Sequence, residues 1–233
     1  SPGLASSQPI SATPELAFAC AALDRRIGVG TGLLDGHPVH YAFAAAASKI
    51  GSVFCVSTHV NESGEASELF SGDLATSHRA ACEAYAAAHT VEIAEKRNLV
   101  IVSCGFPFDI NMIQAHKALD AASHACTDGG TIILLAECSE GPGRSDFLNW
   151  FQSRNSSELA IKLCEKYQVN GQTAWSLLKK TERFDVKIVT TIAESDVSQM
   201  RMRKVELESL YAGASRSGYI IPKASGINII SPD

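Results

Sequence analysis

Gln114 and Lys117 are the pair in this sequence whose chemistry is easiest to name. Three residues apart, they share one face if the segment is helical. An ammonium supplies a point charge with N–H donors, and a primary amide adds directed hydrogen bonds. Together they suit a carboxylate or a phosphate. Upstream, Leu99 to Val102 is a short apolar run of branched residues, the pattern of a strand covered on both faces. Gly105 and Pro107 interrupt it, and Asp109 is expected to N-cap a helix over residues 110–126. The pair then stands on the first turns of a helix at the mouth of a parallel sheet, where α/β proteins receive anions. An ordinary solvated helix face has the same spacing, so spacing alone leaves both readings open.

Around this pair the chain alternates between strand and helix patterns. Residues 1–14, rich in Ser, Pro and Ala, read as an arm. A helix to about Arg26 follows, with Thr13 as cap and Pro14 in its first turn. Residues 27–36 read as a glycine-rich loop. A helix is expected over 38–50, a hairpin from 52–60 and 66–70, and an Ala-rich helix over 75–88. Beyond the Leu99 strand and its helix come a strand at 131–137 and three helices at 145–152, 157–167 and 173–180. A strand at 186–192, a helix at 196–211 and an apolar end at 218–230, read as a last strand, complete the chain. The pattern predicts an α/β fold with a mainly parallel or mixed sheet and helices on both faces. The early hairpin predicts an antiparallel edge to that sheet. The fold is Rossmann-like, but the Gly-x-Gly-x-x-Gly fingerprint and a Walker lysine are both absent, which ranks an ordinary nucleotide-binding domain last. The expected organisation is an arm and helix over residues 1–31, serving as a linker, and one α/β domain over 32–233.

The composition narrows the function classes. With 233 residues, 45% of them hydrophobic, one sizeable core is expected. The net charge is −5 and no basic block occurs, which argues against nucleic acid as a partner. No apolar run reaches the roughly 18 residues of a membrane span, and no basic-then-apolar leader is visible. Seven cysteines are scattered through apolar runs without a Cys-x-x-Cys, the usage of a reducing cytoplasm. Cys104, beside Gly105, either faces the site as a thiol or packs; no His or Lys is obviously placed to activate it.

Five ordered motifs carry a resemblance. Residues 105–120 read GFPFDINMIQAHKALD and residues 129–143 read GGTIILLAECSEGPG. Upstream lie GLLDGHPVH at 32–40, FSGD at 70–73 and HRAAC at 78–82. From Gly32 to Ile192 the chain resembles the C-terminal domain of the nickel-dependent lactate racemase family, whose motif runs Gly-Tyr-Pro-x-Asp-x-Asn-x-Tyr-Gln-Ala-x-Lys-Ala. That resemblance implies racemisation or epimerisation of a 2-hydroxy acid. A nickel-pincer nucleotide takes hydride from the substrate carbon while a histidine removes the hydroxyl proton, and hydride returns on the other face. In such enzymes the acid–base histidines and the cofactor-bearing lysine belong to an N-terminal domain. Gln114 and Lys117 match the substrate-facing glutamine and lysine of the C-terminal domain, and Trp175 matches an aromatic residue that approaches the cofactor. The resemblance therefore implies a substrate- and cofactor-facing domain, inactive without an N-terminal domain or partner subunit.

The sequence departs from the family pattern at two places. The family carries a nickel-binding histidine shortly before its Gly-x-Leu-x-Gly-Asn-Pro motif; here residues 1–36 contain none, and Asp24 to Gly28 offer no good soft ligand. His37 stands where the motif has Asn, and Ile113 where it has Tyr, removing a hydroxyl. These departures support a second reading, a non-catalytic ligand-binding or assembly module that has lost the metal site. His37 and His40 flank Pro38 and Val39 and read as helix-start capping or packing before metal ligation. Glu137 and Glu140 flank a strand end, where paired carboxylates can do acid–base work but surface loops also carry them. His59 and His78 stand alone, and His116 and His124 are eight residues apart, beyond chelating distance.

Overall fold

Branched residues at alternate positions build the sheet that positions the candidate pair. A computed structural model describes residues 34–61, 65–210 and 217–231. The expected arm, its helix and most of the glycine-rich loop lie outside the described residues. The chain divides into two compact units, one up to Thr90 and one from Val91 to Asp233.

In the second unit, β4 (Arg97–Ser103), β5 (Cys126–Leu135), β6 (Asp185–Val189), β7 (Arg203–Lys204) and β8 (Tyr219–Ile221) form one sheet, ordered β7-β6-β5-β4-β8. Every pairing is parallel. Register aligns Val100 with Ile132 and Val186, and Val102 with Leu134 and Ile188. All six are buried, each contributing about 1.5–3 kcal/mol by leaving water. Helices flank the sheet: α3 (Met112–Ala125), α4 (Ser156–Glu165), α5 (Gly171–Arg183) and α6 (Glu194–Gln199). The α/β parallel architecture matches the expectation, and its topology is Rossmann-like. Two details differ. The main sheet has no antiparallel edge, because the hairpin forms a sheet of its own. The apolar end is not one strand: β8 joins the main sheet, whereas β9 (Asn228–Ile230) pairs with β3 (Thr90–Glu92). The expected helix at 196–211 stops at Gln199, and β7 intervenes before a 3₁₀ turn at Leu207–Leu210. The first of the three middle helices is a 3₁₀ helix, Phe147–Gln152.

The first unit holds α1 (Pro38–Ser48), the hairpin β1 (Phe54–Val60) and β2 (Ala66–Asp73), and α2 (Leu74–His89). His37 N-caps α1, its Nδ1 accepting from the His40 amide at 3.4 Å, as capping at a helix start requires. The His40 ring stacks on His78, with centroids 5.5 Å apart. His59, unassigned from sequence, bonds across the hairpin to Glu68 Oε2 at 2.9 Å and ties the hairpin to α2 through the Ala81 carbonyl at 2.8 Å.

Candidate functional site

The strand order sets where a ligand can approach. The chain leaves β4 in one direction toward β5, β6 and β7, then returns to place β8 on the opposite side of β4. Adjacent connections diverge at the carboxyl ends of β4 and β8, the general place where open parallel sheets take ligands. The loop after β4 runs from Cys104 into α3, with Phe106–Pro107 cis and Gly105 at φ +68°. A Cβ on Gly105 would meet Lys223 Cγ at 3.3 Å, so the loops after β4 and β8 touch at this point.

The start of α3 is held by the loop after β5. The Cys138 amide donates to the Asp109 carbonyl at 2.7 Å, and the Glu140 amide to that of Ile110 at 2.9 Å. The Met112 amide, an otherwise orphaned helix donor, reaches the Gly141 carbonyl at 3.1 Å. Asn111, not Asp109, is the N-cap: its Oδ1 accepts from the Gln114 amide at 3.1 Å. Asp109 is engaged through its carbonyl instead. The signal was present in the sequence, because Asn111-x-x-Gln114 follows the spacing of a capping box. The Asn111 side-chain amide donates to Glu140 Oε2 at 3.3 Å, which gives Glu140 a loop-tying contact. Gly143, at φ +108°, lies so close that an added Cβ would stand 2.9 Å from Ile113 Cδ1.

Lys117 and Gln114 come together as the spacing predicts. Lys117 Nζ donates to Gln114 Oε1 at 2.7 Å and stands 5.7 Å from the centroid of the Phe108 ring. Gln114 is half-buried and Lys117 exposed. The shared bond turns the amide oxygen toward the ammonium, leaving the pair to present N–H donors outward. The positive end of the α3 dipole adds to that field within its first turns. Buried Met112, Ala115, Leu119 and Ala122 hold the opposite face of α3 in the core. The pair thus stands at a helix start anchored by the loop after β5.

Trp175 lies on α5, half-buried, with Lys179 Nζ 4.9 Å from its ring centroid. α3 and α5 pack together and run parallel, each following one sheet strand and preceding the next. Lys180, itself buried, binds Asp120 Oδ1 at 2.5 Å and Ser176 Oγ at 2.7 Å. That pairing fixes the register of the two helices. His116, not singled out as a candidate, lies on α3 between Gln114 and Lys117 in sequence. Its Nδ1 donates to the Ile113 carbonyl at 2.6 Å. Desolvation, aided by Lys180 and Lys117 and opposed by Asp120, depresses its pKa to about 4. It is a neutral, structural imidazole at ordinary pH.

The remaining candidates resolve toward packing. Cys104 is buried, and desolvation pushes its thiol up to about 11; Cys138 is pushed up to about 12 for the same leading reason. Neither is an activated thiolate. Glu137 is exposed, and its carbonyl takes the Thr190 and Thr191 hydroxyls, both at 2.9 Å. His78, buried beside Cys82, has its pKa lowered by desolvation first and by His40 next. Among the described residues no group of three His, Cys, Asp or Glu side chains could hold a metal ion.

Comparison with known proteins sets this site in a family. The family described as "Lactate racemase C-terminal domain" matches residues 92–229. The chain is 32% identical over 167 residues to a lactate racemase of Thermoanaerobacterium thermosaccharolyticum, covering 71% of this chain and 38% of the relative. Against the lactate racemase of Lactiplantibacillus plantarum it is 27% identical over 146 residues, covering 63% of this chain and 33% of the relative. The chain therefore spans about a third of the length of the curated relatives it matches. The structure of the lactate racemase apoprotein from T. thermosaccharolyticum superposes with a TM-score of 0.80 at 26% identity, over 94% of this chain and 55% of that one. A Thermotoga maritima crystal structure shares the fold at a TM-score of 0.63 and 14% identity. On the extent of the family match and the identity to its relatives, this chain belongs to the lactate racemase C-terminal domain family.

Proposed function

We propose that the chain is the substrate- and cofactor-facing C-terminal domain of a lactate-racemase-like enzyme, one that interconverts the stereoisomers of a 2-hydroxy acid. Its share of the work is to hold the acid group. The observation that carries this reading is the Lys117–Gln114 pair, bonded at 2.7 Å on the first turns of α3, the helix that follows β4. Lys117 would neutralise the carboxylate, and Gln114 would fix one of its oxygens by a charge-assisted hydrogen bond. Trp175, on α5, is the residue proposed to approach the cofactor. Ile113, packed close to Gly143, puts an apolar side chain next to Gln114 at the start of α3.

The nickel-pincer nucleotide of the family supplies hydride chemistry when bound. The donors described in this chain do not fit its metal: no three-ligand cluster is present among the described residues, and residues 1–36 contain no histidine. We therefore assign this chain no metal ligand and derive no step through the group. The acid–base chemistry is assigned to an N-terminal domain or partner subunit, and the isolated chain is inactive under this reading. The cysteine usage and the absence, among the described residues, of a helix long and apolar enough to cross a membrane fit a cytoplasmic enzyme. The missing metal donors favour one alternative, a ligand-binding module that kept the crevice alone.

Calorimetry with lactate, paired with an enantiomer assay, tests the reading. The expected results are carboxylate binding that Lys117→Ala removes, and no racemisation by the chain alone. Binding unaffected by Lys117→Ala, or racemisation without a partner, would refute it.

A further inference from the structure

An exposed apolar run stands beside the ammonium that the functional reading gives to the acid group. Phe106, Phe108 and Ile110, at alternate positions of the loop between β4 and α3, are 90%, 40% and 36% exposed. Single exposed apolar side chains are ordinary, but a cluster of them beside a polar pair marks a place that a ligand covers. The run is continuous with the pair. The Phe108 ring centroid lies 5.7 Å from Lys117 Nζ, and Ile113, which directly precedes Gln114, packs against Gly143.

The polar side chains interleaved with the run are engaged elsewhere. Asn111 uses its oxygen on the Gln114 amide at 3.1 Å and its nitrogen on Glu140 Oε2 at 3.3 Å. Asp109 is half-buried, and after desolvation its charge is the next cause of the raised Cys104 thiol, so its carboxylate lies near that buried residue. Lys223, from the loop after β8, meets this loop at Gly105 with its Cγ. Beside the anchoring ammonium the loop therefore offers an aromatic ring and apolar neighbours.

We propose that the Gln114–Lys117 pair and this run form a two-part site for a 2-hydroxy acid with a bulky apolar substituent, aromatic or branched aliphatic. The inference rests on the functional reading above and names the substrate class of the same site. Lys117 and Gln114 take the carboxylate, and Phe108 with its exposed neighbours takes the substituent. In such an acid the carboxylate and the substituent are bonded to one carbon. Fixing the carboxylate at Lys117 Nζ brings a substituent longer than a methyl group within reach of the Phe108 ring. Contact there removes apolar area from water on both partners, and an aromatic substituent adds a ring–ring contact. A hydroxylated substituent would lose water without gaining a hydrogen-bond partner.

Calorimetry of the 233-residue chain compares lactate, phenyllactate and threonate, whose substituent is hydroxylated. Phenyllactate is expected to bind roughly tenfold tighter than lactate, and threonate no tighter than lactate. Phe108→Ala reduces the gain to about twofold or less, and Phe108→Leu keeps part of it. Lys117→Ala weakens both acids alike. A readout that needs no variant is the nuclear Overhauser contact between the phenyllactate ring and the Phe108 ring protons. Equal affinity for lactate and phenyllactate, a gain indifferent to Phe108→Ala, threonate bound as tightly as phenyllactate, phenyllactate binding indifferent to Lys117→Ala, or no ring-to-ring contact would each overturn the proposal. Lactate bound through Lys117 without a gain for phenyllactate defeats only this inference. No binding of either acid defeats the functional reading and this inference with it.

Discussion

At the scale of single residues, the chemistry rests on an ammonium held at a chosen place. Lys117 is fixed by the Gln114 oxygen at 2.7 Å and the Phe108 ring at 5.7 Å, and so offers its charge with little left to order. Removing it by Lys117→Ala is expected to weaken carboxylate binding by about 1.5–3 kcal/mol, read by calorimetry. Thermal stability should stay within about 0.5 kcal/mol, because the side chain is exposed. His116 makes a second prediction. Its folded pKa, about 4, lies below the ordinary imidazole value because burial disfavours the charged ring. The unfolded chain therefore binds the proton more readily. Stability from this group is complete above about pH 6.5 and is lost as pH falls toward 4. Urea unfolding across that window should show a loss that His116→Gln reduces, on the order of 2 kcal/mol at the acid end. Equal pH dependence in the two proteins would remove His116 from the account.

At the scale of elements, the candidate pair depends on how α3 begins. Asn111→Ala removes the cap on the Gln114 amide and should cost about 1 kcal/mol, measured by chemical denaturation. Gly143→Ala is expected to cost more, about 1–3 kcal/mol, because the backbone is at φ +108° and the new Cβ meets Ile113. Much of this element was legible in sequence, and the reasons differ by residue. The branched run at Val100 and Val102 and the i,i+3 spacing of Gln114 and Lys117 are local patterns, and both survive in the fold. Asn111 was overlooked in favour of Asp109 although its capping spacing with Gln114 was visible. The anchoring of α3 by Gly141 and Cys138 was not legible, since it joins loops brought together only by the parallel register of β4 and β5. The Lys180–Asp120 pairing, 60 residues apart in sequence, is of the same kind. The antiparallel edge expected of the hairpin failed because strand pattern carries no information about which sheet a strand joins.

At the scale of the whole molecule, most of the buried apolar side chains among the described residues belong to the second unit, and the match spans about a third of the lactate racemases concerned. Under the proposed reading the chain holds the acid group and moves no proton or hydride alone, so it is expected to leave the enantiomeric ratio of lactate unchanged over prolonged incubation, by chiral chromatography. The claim beneath all of this is that the α3 start receives a carboxylate. Amide chemical shifts of the chain, titrated with lactate, test it most directly. The account predicts saturable shifts confined to residues 104–117 and the loops after β5 and β8, abolished by Lys117→Ala. Shifts confined to other regions, or shifts at α3 that persist without the ammonium, would contradict it.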